Sequence, residues 1–181
     1  NKIHRVNYNL NNIKKEFYDE AKKLLPNNNY IGFSITQGNE YRKKSWPLKN
    51  FIDLAKKILI IKKTPVFFLE KSNIEVANKI KSEIPEAIIP EHKSNLSSPA
   101  LVTALSSRLE GAISIDNGVM HMIALSNVPI VVLFGPTNSE KFAPNYKDSI
   151  ILDSKRMYKT ENISAITVED VLLASKQFLN F

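Results

Sequence analysis

Ala112-Ile113-Ser114-Ile115-Asp116-Asn117-Gly118-Val119-Met120-His121 is the stretch on which the fold turns. Its first four residues predict a short buried strand, Ala112–Ile115. The apolar positions Val119, Met122, Ile123, Ala124 and Leu125 then predict a helix ending near Asn127. A strand that runs through a Gly-containing turn into a helix gathers free backbone N–H groups and the positive end of a helix dipole at one point, which suits a phosphate. Gly118 lets the backbone come close to a ligand, and Asp116 at the strand's carboxyl end can accept hydrogen bonds from hydroxyl groups. His121 falls on the same helical face as Gly118, one turn in. Asp-Asn-Gly is equally good as plain turn and N-cap chemistry, and a lone histidine is as readily a packed or surface residue, so the neighbouring segments have to decide.

Downstream, Pro129–Phe134 is a fully apolar strand followed by a loop opening Gly135-Pro136-Thr137. Ser149–Leu152 is a last short strand, and Thr167–Leu179 a closing helix with Thr167 as N-cap and Asp170 in its first turn. Upstream, Ser98-Pro99 opens a helix through about Leu109, with Gly111 as its stop, and Ala87–Ile89 is a brief strand. Ser72–Glu83 is a helix opened by a capping box of Ser72 and Glu75, preceded by the strand Pro65–Leu69. Trp46-Pro47 opens a helix carrying Phe51, Leu54, Ala55, Ile58 and Leu59 to about Lys62, and Tyr30–Thr36 is the first strand. Ile13–Leu25 is amphipathic, so residues 1–28 form a linker and helix and residues 29–181 one domain. Strands alternating with helices predict right-handed βαβ crossovers: an α/β, Rossmann-like parallel sheet with helices on both faces.

Composition removes several functions. The 181 residues contain no cysteine, which excludes disulfides and thiolate metal sites, and three scattered histidines make a structural zinc site unexpected. No apolar run approaches the roughly 20 residues that span a bilayer. A net charge of +7 and a pI near 9.5 favour anionic partners. The lysines are scattered, without interleaved aromatics, so nucleic acid is not the expected one. Neither Gly-x-Gly-x-x-Gly nor a P-loop occurs, which disfavours an ordinary dinucleotide site or an NTPase.

The long loop Gln37–Pro47 holds Gly38 and the cluster Arg42-Lys43-Lys44, which is either a solvated charge cluster or, at the edge where open α/β sheets bind ligands, part of a site. Gly38, Gly118 and Gly135 each follow a strand and outline one crevice, with Thr36 at the end of the first strand beside them.

Lys44-Ser45-Trp46-Pro47, Ser114-Ile115-Asp116-Asn117-Gly118-Val119-Met120-His121 and Leu133-Phe134-Gly135-Pro136-Thr137, with Pro144, resemble in order and spacing the carboxyl-terminal half of the ADP-heptose:lipopolysaccharide heptosyltransferases, glycosyltransferase family nine. The similarity runs from about Tyr30 to the end, and Asn1–Leu25 resembles the segment joining the two halves of those enzymes. The resemblance implies one half of a two-domain GT-B enzyme, the half that holds the nucleotide-sugar donor. Lys44 would contact the donor diphosphate or sugar, Asp116 would hold sugar hydroxyls, and the backbone at Asn117-Gly118 would bind phosphate. His121 would support that loop, and Gly135, Pro136 and Thr137 would shape the nucleotide side. The expected substrate-binding set is therefore Thr36, Gly38, Lys44, Asp116, Asn117, Gly118, His121, Gly135 and Thr137.

The implied reaction is inverting transfer of heptose from ADP-heptose to a lipid A–core acceptor, with no cofactor and no obligatory metal, in the cytoplasm at the inner face of the inner membrane. There the basic charge suits an anionic lipid surface. The family's catalytic base is a carboxylate in the amino-terminal domain, and this chain is expected to begin after it, so no catalytic residue is assigned and the fragment is expected to bind donor without transferring sugar. The family has a small hydroxyl residue where this chain has Asn117, and a glycine pair where it has Leu69-Glu70-Lys71. An acidic donor contact just beyond falls on Glu75 or is replaced by Asn73. The alternative is a stand-alone nucleotide or sugar-phosphate binding module; a related nucleotide-sugar epimerase fits the motifs less well.

Overall fold

The computed structural model describes residues 10–37, 41, 43–176, 178 and 179. Gly38 and Arg42, both singled out above, lie outside the described residues, as do residues 1–9. The elements in chain order are α1 (Lys15–Leu24), β1 (Tyr30–Ser34), α2 (Leu48–Ile60), β2 (Thr64–Phe68), α3 (Ile74–Glu83), α4 (Pro99–Ser106), β3 (Leu109–Ile115), α5 (Gly118–Leu125), β4 (Ile130–Phe134), α6 (Ser139–Phe142), β5 (Ser149–Asp153), α7 (Ser154–Tyr158) and α8 (Val168–Ser175).

The five strands form one sheet in the order β2-β1-β3-β4-β5, and every neighbouring pair is parallel. Their near-continuous apolar sequences suit strands covered on both sides. Alternate strand residues enter two cores. Ile31, Phe33, Phe67, Ile113, Ile115, Val131 and Leu133 pack with α2, α3 and α8. Tyr30, Val66, Phe68, Ala112, Val132 and Phe134 pack with α1, α4 and α5 on the other face. In the first core Phe33 stacks on Phe67 at 4.8 Å and meets Phe51 edge-on at 6.3 Å.

The sheet is the doubly wound fold expected, with four local corrections. Ala87–Ile89 is not a strand but a single bridge to the sheet edge, Ile88 to Val66, made by Phe67 N–H to the Ile88 carbonyl and Ile88 N–H to that of Pro65. The Ser72–Glu75 capping box does not form: Asn73 N–H bonds the Glu70 carbonyl in a turn, and α3 starts one residue later without a side-chain cap. Gly111 does not stop α4, which ends at Ser106, but lies inside the longer β3. A Cβ at Gly111 would come within 2.1–2.6 Å of the Phe178 ring, so this glycine makes room for packing. The closing helix ends at Ser175 rather than Leu179, although Thr167 and Asp170 do form its capping box.

Helix α1 packs on α4 in the second core through Ala21 and Leu25, both fully buried. Arg108 fixes the segment after α1: its guanidinium donates to the carbonyls of Leu25, Pro26 and Asn27.

Candidate functional site

Because β1 connects to β2 on one side and β3 lies on its other side, the carboxyl ends of β1 and β3 flank the point where the chain reverses direction across the sheet. In open α/β sheets a crevice forms there. Two sequence segments separated by tens of residues meet at this point, and a third follows the neighbouring strand β4.

The first is the loop after β1. Trp46 is buried, donates its Nε1–H to the Ile166 carbonyl at 2.8 Å and stands edge-on against Phe51 at 4.8 Å. Lys43 adopts the left-handed backbone region at φ 46°, and the Lys44 N–H is held by the Gln37 Oε1 at 2.8 Å. With its backbone pinned on both sides, Lys44 points inward and is only 9% exposed.

The second is the turn between β3 and α5. Asp116 is 7% exposed, and its Oδ2 and its own carbonyl oxygen each accept a hydrogen bond of 2.8 Å from the Lys44 Nζ. A pair this deeply desolvated is held by its added hydrogen bond as much as by charge. Asn117 caps α5: its Oδ1 accepts from Met120 N–H at 2.9 Å, while its Nδ2 donates to the Ser34 Oγ at 2.7 Å and to the Thr36 carbonyl at 2.9 Å. The amides of Gly118 and Val119 have no hydrogen-bond partner among the described residues. A Cβ at Gly118 would meet nothing within 4 Å. The turn therefore presents two free N–H groups at a helix N-terminus with open space before them.

The third is the loop after β4. Gly135 is buried, and a Cβ there would lie 2.8 Å from that of Ile163 and 2.9 Å from the Glu161 carbonyl, so the absence of a side chain serves the packing of residues 161–163. Thr137 has a buried Oγ1 without a hydrogen-bond partner among the described residues, an orphan hydroxyl in the loop after β4. Lys155, at the start of α7, braces this loop by donating to the Pro136 carbonyl at 2.8 Å and pairing with Glu161 at 3.1 Å.

The expected site residues thus divide. Lys44, Asp116, Asn117 and the Thr36 backbone are joined directly, and Gly118 opens on the same turn. Gly135 and Thr137 lie at the end of β4, the neighbour of β3. His121 is exposed on α5 and makes no hydrogen bond to the Asp116–Gly118 turn among the described residues; the support assigned to it is supplied by Asn117. Glu75 is exposed in the first turn of α3 and has no ion pair or hydrogen bond from its side chain among the described residues.

Sequence reasoning missed Ser34, Gln37 and Lys155, which act by bracing, and Glu91, which no motif marked. Glu91 is buried beside the end of β2 and accepts from Leu69 N–H at 2.9 Å. Burial pushes its carboxyl up to about 7, the Leu69 bond opposing and the neighbouring Glu70 charge reinforcing the shift. A shallow groove lined by Asp53, Lys56, Lys57, Val168 and Glu169 includes none of the site residues.

Solved structures with the same fold include the glycosyl transferase family 9 from Veillonella parvula, at 21% identity and a TM-score of 0.77 over 91% of this chain and 52% of that one. E. coli ADP-heptose lps heptosyltransferase II matches at 20% identity and 0.71, over 91% and 51%. E. coli heptosyltransferase WaaC with ADP matches at 16% and 0.66, over 87% and 46%. The chain spans about half the length of these proteins, and its fold is that of one half of a GT-B glycosyltransferase. No curated protein matches the chain in sequence. The family model of glycosyltransferase family 9 (heptosyltransferase) matches residues 4–171, a span that takes in the Lys44 loop, the Asp116–Gly118 turn and the Gly135–Thr137 loop together. The chain therefore belongs to glycosyltransferase family 9.

Proposed function

We propose that the chain is the donor-binding half of a heptosyltransferase, which takes heptose from ADP-heptose and passes it with inversion to a lipid A–core acceptor of lipopolysaccharide. The observation that supports this reading is the Lys44–Asp116 pair beside the Gly118 and Val119 amides, unpartnered among the described residues, at the kind of strand-order reversal where open α/β sheets commonly bind ligands. The ammonium and the two amides supply positive potential for a diphosphate, and the Asp116 carboxylate supplies an acceptor for sugar hydroxyls. The orphan Thr137 hydroxyl offers a further contact on the nucleotide side.

In the transfer, the acceptor oxygen forms its bond to the anomeric carbon on the face opposite the diphosphate. The bond from that carbon to the phosphate oxygen breaks, ADP departs with the electron pair, and the acceptor proton passes to a carboxylate base. Lys44 and the α5 amides act where negative charge grows on the leaving diphosphate. We assign the base to an amino-terminal domain, as the family resemblance implies, and donor binding to the residues described above. No helix among the described residues is long and apolar enough to cross a membrane, and the basic surface suits peripheral contact with the anionic inner face of the inner membrane.

Thermal unfolding with ADP, ADP-heptose or UDP tests the reading. Ligand at about 100 times its Kd adds roughly 2.7 kcal/mol, or about 5–10 °C at this size. A shift with the ADP compounds and not UDP, lost in Asp116→Ala, is expected. An equal shift with UDP would remove the adenosine preference, and no shift with any of the three would remove the donor site from this half.

A further inference from the structure

The amide of Asn117 bridges the two halves of the crevice. Its Oδ1 must accept from Met120 N–H and its Nδ2 must donate to the Thr36 carbonyl, so only one orientation of the amide satisfies both neighbours. The second Nδ2 proton goes to the Ser34 Oγ at 2.7 Å, the Ser34 hydroxyl can in turn donate to Oδ1 at 3.1 Å, and Ser34 is fully buried at the last position of β1. Both amide protons and the carbonyl oxygen are therefore engaged within the protein. A side chain so occupied has no donor to spare for a phosphate, although the resembling family carries a small hydroxyl residue at this position.

The bridge joins residues far apart in sequence: Ser34 and Thr36 at the root of the loop that delivers Lys44, and Met120 in the first turn of the helix that presents the Gly118 and Val119 amides. The Lys44 to Asp116 contact is a second tie between the same two segments. A ligand that recruits Lys44 away from Asp116 loosens that tie. The Asn117 bridge is left to hold the loop and the helix N-terminus at a fixed separation.

We propose that Asn117 is a positioning residue in this chain: it touches no ligand, and with Ser34 it locks the Lys44 loop to the N-terminus of α5 so that cation and amides converge on one anionic group. The functional consequence rests on the donor-site reading above; the mechanical one does not.

Hydrogen exchange of the protein and of its Asn117→Thr variant tests the mechanical part. Threonine keeps an N-cap acceptor for α5 but loses both amide donors. The expected result is faster exchange, by roughly 3- to 10-fold as for loss of one or two neutral hydrogen bonds, in two separate segments, 35–37 with 43–46 and 120–122, while β4 is unchanged. Ser34→Ala should reproduce the pattern more weakly, since it removes the Ser34 hydroxyl from the amide but leaves the bond from Met120 N–H to Asn117 Oδ1 in place. Acceleration confined to 120–122 would reduce Asn117 to a helix cap and overturn the proposal.

ADP affinity supplies the second readout. Each variant should weaken binding by roughly 3- to 10-fold, and the double variant by no more than the stronger single one, because both cut the same bridge. Weakening by Asn117→Thr alone, with Ser34→Ala neutral, would mean that Asn117 itself touches the ligand and would equally overturn the proposal. Should the unmodified protein bind no ADP, the donor-site reading fails while the exchange pattern still decides the bridge.

Discussion

Removing the Lys44 ammonium leaves the Asp116 carboxylate 7% exposed with no cation beside it, and a buried charge stripped of its partner costs more than the intact pair contributes. Lys44→Met is accordingly expected to destabilise the protein by about 3 kcal/mol, read from the urea midpoint. Adding Asp116→Asn should recover most of that loss, because no buried charge remains, while ADP binding stays abolished. A double variant as unstable as the single one would show that the lysine serves packing alone. The types and order of these two residues were visible in the sequence. That they meet at 2.8 Å, 72 positions apart, was not, because nothing local in either segment encodes the approach.

At the scale of elements, two glycines in neighbouring segments have opposite physical reasons. Gly111, inside β3, is required because a Cβ would enter the Phe178 ring; Gly118, opening α5, faces empty space, and no glycine in the described residues has a positive φ. Gly111→Ala should therefore cost about 1–3 kcal/mol of stability, partly recovered by Phe178→Leu, whereas Gly118→Ala should leave the melting temperature within a degree or two yet weaken diphosphate binding. Thermal scans of the three variants with and without ADP check both halves. Capping chemistry shows the same limit of local information. Thr167 with Asp170 closes its box on α8, but the similar Ser72 and Glu75 do not, because a preceding turn hydrogen bond from Asn73 to Glu70 moves the start of α3 past Ser72.

For the whole molecule, Glu91 links stability to pH. Its carboxyl is raised from 4.5 to about 7 in the folded protein, so between those values the folded state binds the extra proton. The stabilisation it contributes is complete below about pH 4.5 and is lost as pH rises through about 7. Glu91→Gln, which keeps the acceptor for Leu69 N–H without the charge, should match the parent near pH 4.5 and exceed it above pH 7. Urea unfolding at pH 5, 6, 7 and 8 checks this; parallel pH curves for the two proteins would exclude Glu91 as the titrating group.

By itself the sequence determined the alternation of apolar strands and amphipathic helices, and hence the parallel sheet. It also placed the three motif segments after β1, β3 and β4, because periodicity, turn residues and caps act over a few positions. It carried the family resemblance through the same short segments. Tertiary structure alone decided the rest. The order β2-β1-β3 sets the β1 and β3 ends side by side, and this pairs Lys44 with Asp116 and spends Asn117 on a bridge to Ser34 and Thr36. The same packing leaves His121 outside that network, assigns Gly111 and Gly135 to packing, and reduces Ala87–Ile89 to a single bridge. Those outcomes depend on which segments lie within hydrogen-bonding distance after the sheet has assembled, and strand order, not local sequence, sets that distance.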